Sequence, residues 1–275
     1  MTADNGYLKV MSWNLWLAGG CVNGARDKQL AFLREQAPDV VGLQETLGFA
    51  ARELAEELGW HHHQGGSCGV ISPHPIIERY GHEQMWGVGA RLRLPDGGEL
   101  VAWSAHLNYD PYGPYDFHLA GMSVPEVLTR EADAGRPAQI EEILAAMGPA
   151  LAEPGLPVLL TGDFNVPSHL DWPDLPWQVS VAVERAGLRD SYRVVHPDPV
   201  AVPGHTWSPL NPWHEQREGT PEPQDRIDFV HFAGPLRAVT SDTVGVGEPR
   251  PMPHHADNDW TSDHWAVLST FAREN

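Results

Sequence analysis

"VLLTGDFN", Val158 to Asn165, is the stretch on which the fold turns. Three aliphatic residues run into Thr161 and Gly162, and Asp163 and Asn165 follow two apart. A short apolar run bounded by turn formers reads as a buried strand ending in a loop. Asp, Gly and Asn are also ordinary turn residues, so this pair alone is as readily turn chemistry as function. The other strand ends decide between the two.

Outward from this stretch, several segments read as strands. "LKVMSWNLW" alternates, with Met11, Trp13 and Leu15 on one face and Val10, Ser12 and Asn14 on the other. "DVVGLQE" is a second, buried strand. "SCGVISPHPIIERYG" and "GVGARLRLPDGGELVAWSAHLN" form a run of strands, with "PDGG" at 95–98 as a hairpin turn. Val101, Trp103, Ala105 and Leu107 there alternate with Ala102, Ser104, His106 and Asn108. "RIDFVHF" and "DHWAVLSTF" are the late strands. Helices are expected over "DKQLAFLREQA", over 48–58, from Ile140 to Leu151, and over "WQVSVAVERAGL".

Helices do not alternate strictly with strands, so a parallel doubly wound sheet fits poorly. Two mixed β-sheets packed face to face with helices outside fit better. Two Pro/Gly/His-rich segments, 203–225 and 247–262, are each followed at once by a strand. They read as excursions within one domain spanning 1–275.

Composition narrows the partners. The chain carries 18 Lys and Arg against 37 Asp and Glu, a formal charge of −19, and its only lysines are Lys9 and Lys28. A field of that sign repels polyphosphate backbones, so nucleic acid is not the expected partner. Cys21 and Cys68 make no disulfide framework. "MTADNGYLKV" has no signal-peptide pattern, and no run approaches 18 apolar residues. A soluble cytoplasmic protein is expected. The composition says nothing of oligomeric state.

Polar residues recur at the strand ends: Asn14, Glu45, His106 with Asn108, Asp163 with Asn165, Asp228, and Asp263 with His264. Each alone reads as a cap, a solvated carboxylate or a satisfied buried histidine. Together they form a chemical set. Carboxylates with amide oxygens are hard ligands suited to Mg²⁺ or Mn²⁺. Histidines beside them bind phosphate oxygens or move protons, and an aspartate such as Asp228 can orient a histidine such as His264. That is the equipment of metal-assisted phosphoester hydrolysis.

"WN" at 13–14, "QE" at 44–45, "HLN" at 106–108, "GDFN" at 162–165, "RIDFV" at 226–230 and "SDH" at 262–264 occur in that order. The chain resembles the endonuclease/exonuclease/phosphatase, or DNase I-like, superfamily from Asn14 to His264. The resemblance implies a four-layered α/β sandwich. It implies Glu45 as principal ligand of Mg²⁺ or Mn²⁺, with Asn14 and Asp263 in or next to the metal shell. It implies Asp163 and Asn165 holding the attacking water or the phosphate, with one metal or two. His264, paired to Asp228, is base or phosphate ligand, and His106 contacts the scissile phosphate. Pro73 stands where many members carry arginine, so no cationic phosphate contact is expected there. "HHH" at 61–63 is no metal site, because successive strand residues face opposite ways.

The expected activity is a divalent-metal-dependent hydrolase of a small organic phosphomonoester or phosphodiester. A DNA or RNA nuclease, a sphingomyelinase-like lipid phosphodiesterase and a scaffold without activity are the rivals. Asn108 and the aromatic residues Tyr109, Tyr112, Tyr115, Trp207, Trp213 and Trp260 are the expected substrate contacts.

Overall fold

The structure is a computed structural model describing residues 6–214 and 219–274. Its strands are β1 (Tyr7–Asn14), β2 (Val40–Gln44), β3 (His61–Gln64), β4 (Gly69–Ser72), β5 (Ile76–Tyr80), β6 (Gly87–Arg93), β7 (Glu99–His106), β8 (Val158–Asp163), β9 (Arg189–Asp190), β10 (Asp228–Ala233), β11 (Leu236–Val244) and β12 (Ala266–Arg273). Its helices are α1 (Ala25–Gln36), α2 (Ala50–Leu58), α3 (Gly113–His118), α4 (Val124–Asp133), α5 (Arg136–Leu151), α6 (Gln178–Arg185) and α7 (Ser191–Val195). Two six-stranded mixed sheets form, in the orders β11-β12-β1-β2-β4-β3 and β5-β6-β7-β8-β10-β9. No helix among the described residues is long and apolar enough to cross a membrane.

The strand period of two sorts the core into three layers. Leu8, Val10, Val40, Leu100, Ala102, Leu159, Val230 and Phe232 pack between the sheets. Met11, Trp13, Val41 and Leu43 face the other way, against Leu30, Leu33 and Leu54 of α1 and α2. Val101, Trp103, Ala105, Val158 and Leu160 pack on Ile140, Ile143 and Met147 of α5. Helix, sheet, sheet, helix is thus the layering, and the expected four-layered sandwich is present.

Local signals set the element ends. Pro38 disfavours αR at the residue before it, and α1 stops on Ala37 in the left-handed region, with its N–H closing on the Leu33 carbonyl. Helix α2 stops on Gly59. The 95–98 turn closes the β6–β7 hairpin, with Leu94 N–H donating to the Gly98 carbonyl at 2.8 Å. The structure adds α3, α4, α7, β9 and the edge strand β11, none of which the sequence patterns assign.

Along each inner face the residues change character from one end to the other. Val10 gives way to Ser12 and Asn14, Ala102 to Ser104 and His106, and Leu159 to Thr161 and Asp163. On β10, which runs the other way, Asp228 precedes Val230 and Phe232. The gap between the sheets is therefore oily at one end and polar at the other. Gly42 sets its width: a Cβ there would lie 1.8 Å from Thr161 Oγ1 and 3.1 Å from Ser104 Cβ. Beside it Gln44 Nε2 donates to Ser104 Oγ at 3.0 Å, across the sheets.

Candidate active site

The polar end of the gap gathers residues from both sheets. One sheet supplies Asn14, Glu45, Asp263 and His264; the other supplies His106, Asp163, Asn165 and Asp228. Register makes them neighbours: Asn14 lies opposite Gln44, His106 opposite Asp163, and Asp163 opposite Asp228. Contacts across the gap tie the halves together. Asn14 Nδ2 donates to Asp163 Oδ2 at 2.9 Å and to Glu45 Oε1 at 3.2 Å. His264 Nδ1 lies 2.8 Å from Asp228 Oδ2, and His106 Nδ1 lies 2.6 Å from Ser67 Oγ. His264 Nε2 and His106 Nε2 each lie 3.8 Å from Asp163 Oδ2.

The backbone is bent to serve this rim. Seven described non-glycine residues have positive φ, and all but Ala37 lie here: Trp16, Leu17, Ala18, Glu45, Leu47 and Asn165. Such conformations cost energy in bulky residues and persist where surrounding structure enforces them. Here they aim donors. Leu17 N–H reaches Glu45 Oε2 at 2.7 Å, and Trp16 N–H reaches Asn14 Oδ1 at 2.8 Å. The Trp16 bond orients the Asn14 amide, so its NH₂ bridges Glu45 and Asp163. Asn165 donates through Nδ2 to the Leu107 carbonyl and through its backbone N–H to Asp163 Oδ1.

Charge is not balanced. Glu45, Asp163, Asp228 and Asp263 face His264 and His106. Burial raises the Asp163 carboxyl above its usual range, and the Asp228 charge adds to it. Burial pushes Asp263 up to about 7, with Glu45 repulsion adding to it while His264 opposes it. Burial disfavours a charged His264, yet Asp228, Asp163 and Asp263 outweigh that and hold the imidazolium form well above its ordinary range. Asp228 Oδ1 and Asp263 Oδ1 are buried without a hydrogen-bond partner. Orphaned carboxylate oxygens and surplus negative charge fit a divalent cation.

Asp163, Asp228 and His264 also present ligand atoms within 4.8 Å of one another. His264 Nδ1 is already engaged with Asp228; the oxygens left without a partner are Asp228 Oδ1 and Asp263 Oδ1, with Glu45 beside them holding bonds from Asn14 and Leu17. The half-buried Cys21 stands near the same carboxylates, which raise its thiol further above the level set by burial.

Beside Asn165 is a hollow of about 140 Å³ lined by Tyr109, Tyr112, Tyr115, Trp207 and Ile227. Three expected substrate contacts lie elsewhere. Trp260 is core: it stacks on Trp13 at 5.2 Å and is 1% exposed. Asn108 spends its amide on the Asp110 and Ala134 carbonyls, bracing the loop. Trp213 is exposed on its excursion, outside the lining of the hollow. Pro73 follows β4 at the oily end of the gap, where Ser72 Oγ donates to the Asp39 carbonyl. Arg226 pairs with Asp171 and Asp190 rather than with Asp228. His63 Nε2 bonds the Tyr80 carbonyl, and the histidine run forms no metal cluster among the described residues. Sequence reading missed Ser67; the two glycines before it, Gly65 and Gly66, were the available signal.

The sequence pattern of the endonuclease/exonuclease/phosphatase family matches residues 11–264. The chain belongs to this family. Members are hydrolases of phosphate esters. The uncharacterized protein F14F9.5 of Caenorhabditis elegans is 31% identical over 98% of this chain and 92% of its own. Zebrafish (D. rerio) TDP2 complexed with a single-strand DNA product is similar in structure, with TM-score 0.64, 16% identity, and 97% and 99% of the two chains covered. The human Nocturnin catalytic domain with bound sulfate gives TM-score 0.64 at 15% identity over 98% and 95%. At such identities the structures establish the shared fold.

Proposed function

We propose that this family member is a divalent-cation-dependent hydrolase of a compact organic phosphate ester, monoester or diester. The observation that carries the reading is the unbalanced cluster of four carboxylates and two histidines closing across both sheets. Glu45 and Asp263, with Asn14 between Glu45 and Asp163, would hold Mg²⁺ or Mn²⁺. When bound, that ion polarises the phosphoryl group and offsets its charge. His264 is an imidazolium fixed at Nδ1 by Asp228, so its Nε2–H donates to a phosphoryl oxygen instead of acting as base. Asp163, kept basic by burial and set in place by Asn14 and Asn165, orients the attacking water and takes its proton. His106, held by Ser67, donates from the opposite side to the phosphate or the leaving oxygen. Tyr109, Tyr112, Tyr115 and Trp207 enclose the organic group.

The charge of −19 supports a small substrate over a polyanion. The zebrafish TDP2 complex favours a second reading, hydrolysis at single-stranded DNA, by likeness of fold. Cys21 and Cys68 are unpaired, which supports a reducing, cytoplasmic setting.

The test is a metal-depleted enzyme assayed on 4-nitrophenyl phosphate, bis(4-nitrophenyl) phosphate and short single-stranded oligonucleotides. Chelation abolishes turnover, Mg²⁺ or Mn²⁺ restores it, and Glu45→Gln raises the metal concentration needed. Full activity after exhaustive chelation refutes the mechanism. Oligonucleotide kcat/KM above that of every small ester, with steep salt dependence, transfers the assignment to the nuclease reading.

A further inference from the structure

The hollow beside Asn165 has a chemical character of its own. Its walls are aromatic: Tyr112 and Tyr115 meet edge to face at 4.9 Å, and Tyr109 and Trp207 complete the lining. Behind the rings stand two buried carboxylates. Tyr112 Oη donates to Asp225 Oδ2 at 2.8 Å, Tyr115 Oη donates to Glu222, and Trp207 Nε1 donates to Glu222 Oε1 at 3.2 Å. Neither carboxylate has an ion-pair partner among the described residues. Arg226, next to Ile227, is committed to Asp171 and Asp190, and His264, against the Trp207 ring at 4.9 Å, is committed to Asp228.

Every polar edge of these three rings thus gives its hydrogen to a carboxylate. Donating to an anion pushes electron density back into the ring and makes its face more negative. An aromatic wall with negative faces and buried acid behind it attracts a cation and repels an anion. At about 140 Å³ the hollow is small beside pockets that take drug-sized ligands, and suits a compact organic group.

We propose that this hollow binds a cationic alkylammonium group on the organic moiety of the phosphate ester. The phosphate then sits toward Asn165 and His264, and the two ends of a zwitterion meet fields of opposite demand. The inference rests on the phosphoesterase reading and narrows its substrate class.

The experiment compares two ligands of one shape, phosphocholine and 3,3-dimethylbutyl phosphate, in which carbon replaces nitrogen and the positive charge is lost. Their Kd values are measured by calorimetry with the metal-loaded Asp163→Asn protein, which blocks turnover. Phosphocholine binds about 10-fold more tightly, the scale of a partly desolvated cation–π site. Adding Trp207→Leu or Glu222→Gln to that protein brings the ratio toward one; two variants guard against a folding defect in either. Equal affinities, or no binding of either ligand, overturn the proposal. Tighter binding of adenosine monophosphate than of phosphocholine also overturns it, in favour of base stacking. Turnover of 4-nitrophenyl phosphate and bis(4-nitrophenyl) phosphate by the wild type is scored separately. Absence of both sinks the small-ester hydrolase reading and leaves the affinity ratio standing, whereas equal affinities sink the cation subsite and leave the hydrolase standing.

Discussion

Two buried charge clusters sit close together along the chain and are built on opposite principles. In one, Arg226 reaches Asp171 at 2.8 Å and Asp190 at 2.7 Å, and Arg193 Nε reaches Asp171 at 2.5 Å. Two guanidiniums meet two carboxylates, and Arg226 also lies over the Phe229 ring at 4.7 Å. In the other, two residues along the chain, Asp228 joins Glu45, Asp163 and Asp263 around His264 and His106. The first cluster is neutral in charge, so it can serve as a fastening. The second is left short of positive charge inside the protein, an arrangement that costs stability unless something arrives to complete it. Sequence distance says nothing of this difference, since Arg226 and Asp228 share one strand motif. Facing decides it: Asp228 points between the sheets and Arg226 does not.

Predictions follow from pressing on each cluster in turn. The largest effect belongs to the unbalanced one. His264→Ala and Asp228→Asn should each lower kcat/KM by at least about 10²-fold. The double variant should be scarcely worse than the more damaging single one, because each residue works through the other. Additive losses in that cycle would break the pairing. The melting temperature of Asp163→Asn should equal or exceed that of the wild type, because the substitution removes surplus negative charge.

Next comes the balanced cluster. Arg226→Met leaves buried Asp190 without its guanidinium partner and Asp171 with Arg193 alone, which costs about 3–5 kcal/mol. Urea denaturation measures this, while turnover per folded molecule stays near wild type. If Arg226→Met left stability unchanged, the contrast between fastening and site would collapse.

The smallest effect is one of pH. His231 is buried beside Asp190, and burial pulls its imidazole down to about 4. The unfolded chain takes up this proton near 6.5 and the folded chain only near 4, so the native state binds fewer protons in that window. The resulting stability is complete above about pH 6.5 and is lost as the pH falls towards 4. His231→Leu should flatten the pH dependence of unfolding between those values. An unchanged slope would show that His231 protonates without penalty.

How much of this was legible beforehand depended on period. Alternation along "VAWSAH" already placed His106 at the end of one face, and the apolar run "VLLTGD" placed Asp163 at a strand mouth; the structure puts both at the inter-sheet gap. Element type was legible wherever an apolar stripe persisted, as in α5. It assigned nothing over 113–133, where no long apolar stripe persists, although Ser123 and Glu126 form a capping box on α4. It failed again at β11, whose edge position leaves a largely polar strand. Aromatic residues were the least readable. Trp260 and Trp207 sit in segments of similar composition, yet one is interior packing and the other lines the hollow. Only tertiary neighbours distinguish them, Trp13 for the first and Glu222 for the second.

Gly42 leaves just enough room for Asn14 to touch Asp163 and for His264 to touch Asp228, so each sheet holds half of a constellation that is nothing without its mate. There is no partial credit in such a design. A chain with one sheet formed has no fraction of the activity, and a wedge at Gly42 the size of a methyl group would open the circuit from a distance without touching any of its contacts. Turnover in this protein is therefore a binary gauge of whether the sandwich has shut, and loss of turnover should precede loss of either sheet during gentle unfolding.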